Sequence, residues 1–337
     1  MKIVVFEIGQ DWEIDAFGEL EKEHELVFTK KELTEKNAEE YKDAEIITTF
    51  IYSKLGEDIL KKMPGLKMIA TRSTGYDHID KEYCEKKGII AANVPSYGNH
   101  TVAEYTFSLI LNISRNLCKA VERTDRGDFS VRDLEGFDLF EKTIGVIGTG
   151  DIGMNVIRIA KGFGMNVLGY DIYPKEELAE EIGFKYVDKN ELIRNSDIIT
   201  LHIPETKENR DFIAKEEFDI MKDAVVLINT SRGAIVSVKD LLRAIEKGKV
   251  AAAGVDVLPE EDYTREDNEM INSIFDKKAN QEALLANHIL LRLNNVFITP
   301  HVAYNTKEAT QRIIKSTLEN IHSFAKGDPA NVVIGGE

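Results

Sequence analysis

The segment Gly148-Thr149-Gly150-Asp151-Ile152-Gly153 follows an apolar run, Thr143 to Ile147, and opens an apolar helical pattern with Val156, Ile157 and Ile159. Glycines at this spacing between a strand and a helix suit a pyrophosphate. Gly148 permits a tight turn, Gly150 lets the backbone approach the phosphates, and Gly153 allows close helix-to-strand packing, while the helix start offers N–H groups to the anion. A glycine-rich turn without a ligand is the alternative. Asp171 ends the next apolar run, near the roughly 20-residue offset expected of a ribose-binding acid. A carboxylate there accepts bonds from ribose hydroxyls and repels a 2′-phosphate, which favours NAD over NADP; in the competing reading Asp171 only caps a turn. Asp151 is counted with the cofactor-binding residues of this turn, although its charge fits poorly beside a pyrophosphate. It either points to solvent or caps the helix start, where a carboxylate is favourable.

Three more polar segments trail apolar runs: Asn229-Thr230-Ser231-Arg232-Gly233, Gly254-Val255-Asp256-Val257-Leu258-Pro259-Glu260-Glu261 and Thr299-Pro300-His301-Val302-Ala303. In open parallel sheets, ligands bind at the C-terminal ends of the strands. Arg232 presents a planar fork that matches a carboxylate and would hold an α-keto acid in one orientation through two charge-assisted bonds. A histidine paired with a carboxylate can shuttle a proton near neutral pH, and His301 and Glu261 are residues of those types. Taken singly, Arg232 also reads as a surface ion pair, His301 as a loop histidine and Glu261 as a solvated charge. Beside a dinucleotide turn they form an anion clamp, an acid and its partner.

The elements that would position these groups are short β-branched runs alternating with helical stretches, which implies parallel βαβ units. Ile3 to Phe6, Leu26 to Phe28, Ile46 to Thr49, Met68 to Thr71 and Ile89 to Asn93 form one series. Thr143 to Ile147, Asn166 to Tyr170, Asp197 to Leu201, Ala224 to Asn229, Ala252 to Val257 and Val296 to Thr299 form a second. The boundary falls near residue 100, where Thr101 and Glu104 read as a capping box opening a helix to about Arg126. A last helix, Thr306 to Ala325, is expected to return to the first domain. Residues 1–100 and 301–337 then make one domain and 101–300 the other, with the active site expected in the cleft between them. The charged stretch from Asp262 to Asn295 reads as an excursion from the second domain.

A chain of 337 residues suits about two domains, and its formal charge of -16 argues against nucleic acid or an anionic membrane as partner. The N-terminus reads as a buried strand, not a signal peptide, and no apolar run reaches membrane-spanning length. Cys84 and Cys118 stand in no metal or redox spacing, so a reducing, cytoplasmic setting and no metal are expected.

Over essentially its whole length the sequence resembles the D-isomer-specific 2-hydroxyacid dehydrogenases. That resemblance implies a Rossmann NAD-binding domain plus a flavodoxin-like substrate domain, both doubly wound parallel sheets, and a small 2-keto or 2-hydroxy acid as substrate. It implies that Arg232 binds the substrate carboxylate and His301 donates a proton to the keto oxygen as hydride arrives. Glu261, five residues after Asp256, would orient His301, Glu260 falling one position short. Asp256 would meet the nicotinamide amide, the His202, Pro204 and Thr206 loop the adenosine, with Thr230, Ile152 and His301 also on the cofactor. Arg72-Ser73-Thr74-Gly75-Tyr76-Asp77-His78-Ile79-Asp80 resembles the family's substrate loop, with Thr74 and Gly75 at the carboxylate. Tyr97 either meets the substrate, as in the D-lactate dehydrogenase branch, or packs the interdomain hinge. Pro300-His301-Val302-Ala303-Tyr304 and the long stretch after Glu261 also resemble that branch, so D-lactate and pyruvate are the expected pair. Bulkier keto acids such as 2-ketoisocaproate, phenylpyruvate or hydroxypyruvate, or an NAD-binding corepressor role, are the alternatives. The family suggests a homodimer through the helix beginning at Thr101.

Overall fold

The protein is described here by a computed structural model covering residues 1–259 and 281–335. It divides into two compact units, Met1–Tyr97 with Thr306–Glu337, and Gly98–Asn305. The two crossings fall a few residues from positions 100 and 301 of the sequence reading. His301 accordingly lies in the second unit, because its N–H donates to the carbonyl oxygen of Asp256 at 2.9 Å.

In the first unit β1 (Lys2–Val5), β2 (Glu25–Phe28), β3 (Ile46–Thr49), β4 (Met68–Thr71), β5 (Ile90–Ala92) and β13 (Val332–Ile334) form one sheet in the order β13-β5-β4-β3-β1-β2. All neighbours are parallel except β13, which runs antiparallel to β5. Side chains alternate between the two faces of a strand, and both faces here are buried. Val4, Ile47, Ile69 and Ala91 pack with Leu60, Met63 and Cys84 on one side. Ile3, Val5, Ile46, Met68 and Ala70 pack with Ile314, Leu318 and Ile321 of the helix Lys307–Ala325 on the other. Thr306 starts that helix by accepting a bond from Ala309 N at 3.2 Å.

The second unit holds a parallel sheet of β6 (Thr143–Ile147), β7 (Asn166–Tyr170), β8 (Lys185–Tyr186), β9 (Ile198–Leu201), β10 (Val225–Asn229), β11 (Val250–Val255) and β12 (Val296–Ile298). Its order is β12-β11-β10-β9-β6-β7-β8, so the chain reverses its direction of winding between β6 and β9. Loops leaving those two strands diverge and open a crevice suited to a nucleotide. β9 and β10 are buried throughout.

Two expectations about the first helix of this unit fail. The helix runs Asn99–Arg115 with Gly98 at its cap and no side-chain cap bond. Thr101 is buried inside the first turn, so no capping box forms with Glu104. The helix also stops short of Arg126, because Asn116 adopts a left-handed φ of 49° before a second helix, Leu117–Asp125. Asparagine tolerates that conformation, and here its Nδ2 donates to Glu135 O at 2.9 Å. Of the stretch from Asp262 to Asn295, residues up to 280 lie outside the described residues, and Gln281–Leu290 is a helix. No helix among the described residues is long and apolar enough to cross a membrane.

Candidate active site

Because every strand of the second sheet is parallel, the loops after them emerge along one edge. Along that edge the loops carry, in order, His301, Asp256, Arg232, His202, the glycine turn, Asp171 and the end of β8.

The glycine turn links β6 to the helix Asp151–Gly162. Gly148 has φ +89°, and a Cβ on it would stand 2.5 Å from His202 O. A Cβ on Gly153 would stand 1.9 Å from Gly148 O, so only glycine lets the helix begin there. At Gly150, the helix cap, a Cβ would meet nothing within 4 Å. The backbone is therefore bare where the first N–H groups of a twelve-residue helix point outward. Asp151 is exposed at the first helical position, Gly150 being the cap, and its Oδ2 accepts from Asn99 Nδ2 at 3.1 Å. Ile152 is half-buried and Gly153 buried.

Asp171 closes on this turn. Its Oδ2 accepts from Thr149 N at 2.6 Å and from Thr149 Oγ1 at 3.1 Å, and its Oδ1 accepts from Tyr173 N at 2.9 Å. Two loops that a nucleotide would touch are thus joined through one carboxylate, which also caps its own turn.

His202 N donates to Ile147 O at 2.7 Å, and its Nε2 lies 2.9 Å from Thr200 Oγ1. Burial pushes its pKa down to about 3, so the ring is neutral near pH 7. Pro204 and Thr206 are exposed, with Pro204 O accepting from Asn209 Nδ2 at 3.1 Å and Thr206 O from Asn209 N at 3.2 Å. Thr230 is buried, 3.1 Å from Thr106 Oγ1. Thr106 gives its one proton to Val102 O at 2.8 Å, so Thr230 donates in that pair.

Arg232, Asp256 and His301 come from three adjacent strand ends linked by backbone bonds. Asp256 N donates to Asn229 O and His301 N to Asp256 O, both at 2.9 Å. Arg232 is half-buried; its carbonyl accepts from Asn229 Nδ2 at 2.9 Å and its Nη1 donates to Ser231 O at 2.9 Å. Gly233 permits the turn to touch the next strand's exit, since a Cβ there would stand 2.1 Å from the carbonyl carbon of Leu258. Asp256 is buried, and its Oδ1 accepts from Thr299 Oγ1 at 2.6 Å and Val302 N at 2.9 Å, its Oδ2 from Ala303 N at 2.8 Å. Burial raises its pKa, and these bonds oppose the rise. A carboxylate has about four acceptor positions, and the described residues fill three of them. His301 has φ +55°, which the Asp256 bonds on either side hold in place. Glu261 and Glu260 lie outside the described residues.

In the first unit, Thr74 Oγ1 donates to Val94 O at 2.8 Å, Thr74 O accepts from Asn93 Nδ2 at 2.7 Å, and Gly75 O accepts from Ser73 Oγ at 2.6 Å. These bonds use side chains and carbonyls, and leave the Thr74 and Gly75 N–H groups without a partner among the described residues of that unit. Buried Arg72 braces the loop, its Nη2 donating to Phe6 O at 2.6 Å and Glu7 O at 2.9 Å, with Glu13 Oε2 at 3.4 Å from Nη1. Tyr97 is half-buried and its carbonyl accepts from Arg312 Nε at 2.9 Å. The sequence did not reveal this bracing, because Glu13 and Arg72 meet only once the strands are in place.

The profile of the D-isomer specific 2-hydroxyacid dehydrogenase NAD-binding domain matches residues 107–303. The chain belongs to that family. This dehydrogenase is similar to the crystal structure of D-lactate dehydrogenase from Aquifex aeolicus complexed with NAD and lactic acid, at a TM-score of 0.88 and 37% identity over 99% of this chain and 100% of that one. It is 35% identical to the D-lactate dehydrogenase of Escherichia coli (strain K12), over 90% of each chain. It is also 34% identical to the glyoxylate reductase of Thermococcus litoralis, over 88% of this chain and 85% of the relative. The dehydrogenase has the family's two parallel-sheet α/β domains, and NAD is its cofactor. The bare backbone at Gly150, the helix start behind it and the Asp171 carboxylate fit a dinucleotide.

Proposed function

We propose that this dehydrogenase interconverts D-lactate and pyruvate, with NAD preferred over NADP. NADH supplies the hydride in reduction. Arg232 is assigned to the substrate carboxylate, which its fork can hold at both oxygens. Thr74 and Gly75 are assigned to the same carboxylate through their N–H groups, and Tyr97 to the body of the substrate. His301 is assigned to deliver a proton to the keto oxygen, with Glu261 orienting its ring. On the cofactor side Gly148, Gly150, Ile152 and Gly153 are assigned to the pyrophosphate, Asp171 to the ribose, His202, Pro204 and Thr206 to the adenosine, and Thr230 and Asp256 to the nicotinamide end. Asp151 is turned to Asn99 and is given no part in phosphate binding.

The observation that carries this reading is the backbone linkage of Asn229, Asp256 and His301, which supports assigning His301 and Arg232, on neighbouring strand ends, to one substrate. The likeness to D-lactate dehydrogenases over nearly the whole chain supports the choice of substrate. Exposed Leu117, Val121, Phe129, Val131 and Phe140 lie close together in sequence, an apolar stretch suited to a second copy, and a homodimer in the cytoplasm is part of the proposal. Steady-state rates with pyruvate, glyoxylate, hydroxypyruvate, 2-ketoisocaproate and phenylpyruvate, each with NADH and NADPH, test it. The highest kcat/KM is expected for pyruvate with NADH; a higher value for any other acid would replace D-lactate as the product.

A further inference from the structure

Tyr186 lies on β8, and no part of the mechanism above uses it. Its hydroxyl is 2.7 Å from Thr149 Oγ1. Thr149 Oγ1 in turn donates to Asp171 Oδ2 at 3.1 Å. A hydroxyl has one proton, so with the Thr149 proton committed to the carboxylate, Tyr186 must be the donor in its pair with Thr149. The direction is therefore fixed: Tyr186 to Thr149 to Asp171.

The fold is built to bring these three together. Tyr186 pairs in register with Gly169 of β7, and a Cβ on Gly169 would stand 2.8 Å from the Phe184 ring and 3.3 Å from Thr149 Cγ2. Phe184 packs edge-on against Tyr186, with ring centroids 5.0 Å apart, which orients the phenol. Thr149 is buried, so its hydroxyl finds its acceptor and its donor inside the protein. Both Thr149 donors fall on Oδ2, whereas Oδ1 takes only Tyr173 N among the described residues. Asp171 is thus held at both oxygens, doubly at Oδ2 and singly at Oδ1, and among the described residues Oδ1 keeps an acceptor position for a further donor.

We propose that Tyr186 is a positioning residue for cofactor selection, acting through Thr149 to fix the Asp171 carboxylate so that it receives ribose hydroxyls and excludes a 2′-phosphate. This rests on the reading of Asp171 as the residue that selects NAD. A carboxylate whose orientation is fixed before binding loses less freedom when the ribose arrives, so the relay strengthens NADH binding specifically. NADPH gains nothing from it, because its 2′-phosphate cannot share that site.

The test is calorimetric binding of NADH and NADPH to ligand-free protein, with the thermal midpoint of each variant recorded. Tyr186→Phe keeps the ring packing and removes the donor. Its Kd for NADH should rise roughly 2- to 10-fold, the worth of one net hydrogen bond, while the Kd for NADPH changes less. Added to Asp171→Ala, it should have no further effect. Thr149→Val should repeat the loss and Thr149→Ser should restore it, which keeps the test open if Tyr186→Phe does not fold. An unchanged NADH affinity, an equal loss for both cofactors, or an equal loss in the Asp171→Ala background would each overturn the proposal while leaving Asp171 as the selector. If Asp171→Ala itself leaves the NADH to NADPH ratio unchanged, the reading of Asp171 fails and the relay with it.

Discussion

The Asp256 carboxylate accepts from the backbone N–H groups of Val302 and Ala303, the two residues after His301, while its own carbonyl accepts from His301 N. Asp256→Asn replaces one acceptor oxygen with a donor. One of the two N–H groups then faces an NH2 in a buried site, at a cost of about 1–3 kcal/mol. Urea unfolding of the ligand-free variant should show that loss, with kcat falling as His301 loses its support. An unchanged unfolding midpoint would show that the loop does not depend on this carboxylate.

His301→Ala should lower kcat by roughly 10²- to 10⁴-fold, the usual worth of a general acid. NADH affinity should be nearly unaffected. Stopped-flow reduction of pyruvate measures the first and fluorescence titration the second; undiminished turnover would remove His301 from the chemistry.

Arg232→Lys keeps the charge and loses the fork. Since a single ammonium cannot make two parallel bonds to a carboxylate, kcat/KM for pyruvate should fall steeply. Near-native efficiency would move the clamp to the N–H groups of Thr74 and Gly75.

The two neighbouring glycines should separate folding from binding. In Gly153→Ala the new Cβ would stand 1.9 Å from Gly148 O, so the ligand-free protein should lose about 1–3 kcal/mol or more. In Gly150→Ala the new methyl meets no protein atom within 4 Å, so ligand-free stability should hold while NADH binding weakens. Full NADH affinity in Gly150→Ala would place the pyrophosphate elsewhere.

His202 gives a pH signature. Burial pushes its pKa down to about 3, whereas in the unfolded chain a histidine titrates near about 6.5. Between those values the unfolded state binds the extra proton. The stability tied to neutral His202 is therefore complete above pH of about 6.5 and declines as pH falls toward about 3. Unfolding midpoints of the wild type and His202→Gln, measured from about pH 8 to about pH 4, should diverge below about 6.5 with the wild type losing more. Parallel curves would mean that His202 is not held neutral.

The parallel architecture was legible because buried strands such as Ile46–Thr49 and Ile198–Leu201 are nearly unbroken apolar or β-branched runs. The glycine turn was legible because its strand and helix flank it directly. β8 escaped, since two residues carry no periodicity, and with it went Tyr186. β13 escaped because Val332–Ile334 is only three residues long and becomes a strand only against β5. The Thr101 and Glu104 pattern misled because a helix can begin earlier than its first recognisable cap, and tertiary burial claimed Thr101. Asn116 could have been read as a break, being the residue after glycine most tolerant of a left-handed backbone.

The helix Lys307–Ala325 and β13 come from the far end of the chain, yet they cover one face and one edge of the first sheet. On the ribosome this unit is begun first and finished last. Ile3, Val5, Ile46, Met68 and Ala70 remain without their cover, and β5 remains an open edge, until the whole contiguous stretch Gly98–Asn305 has been made. That second unit is free to fold while the first waits, so a nascent chain stalled after Asn305 would carry a first sheet still lacking β13 and the helix Lys307–Ala325, with an apolar face and an edge open to aggregation.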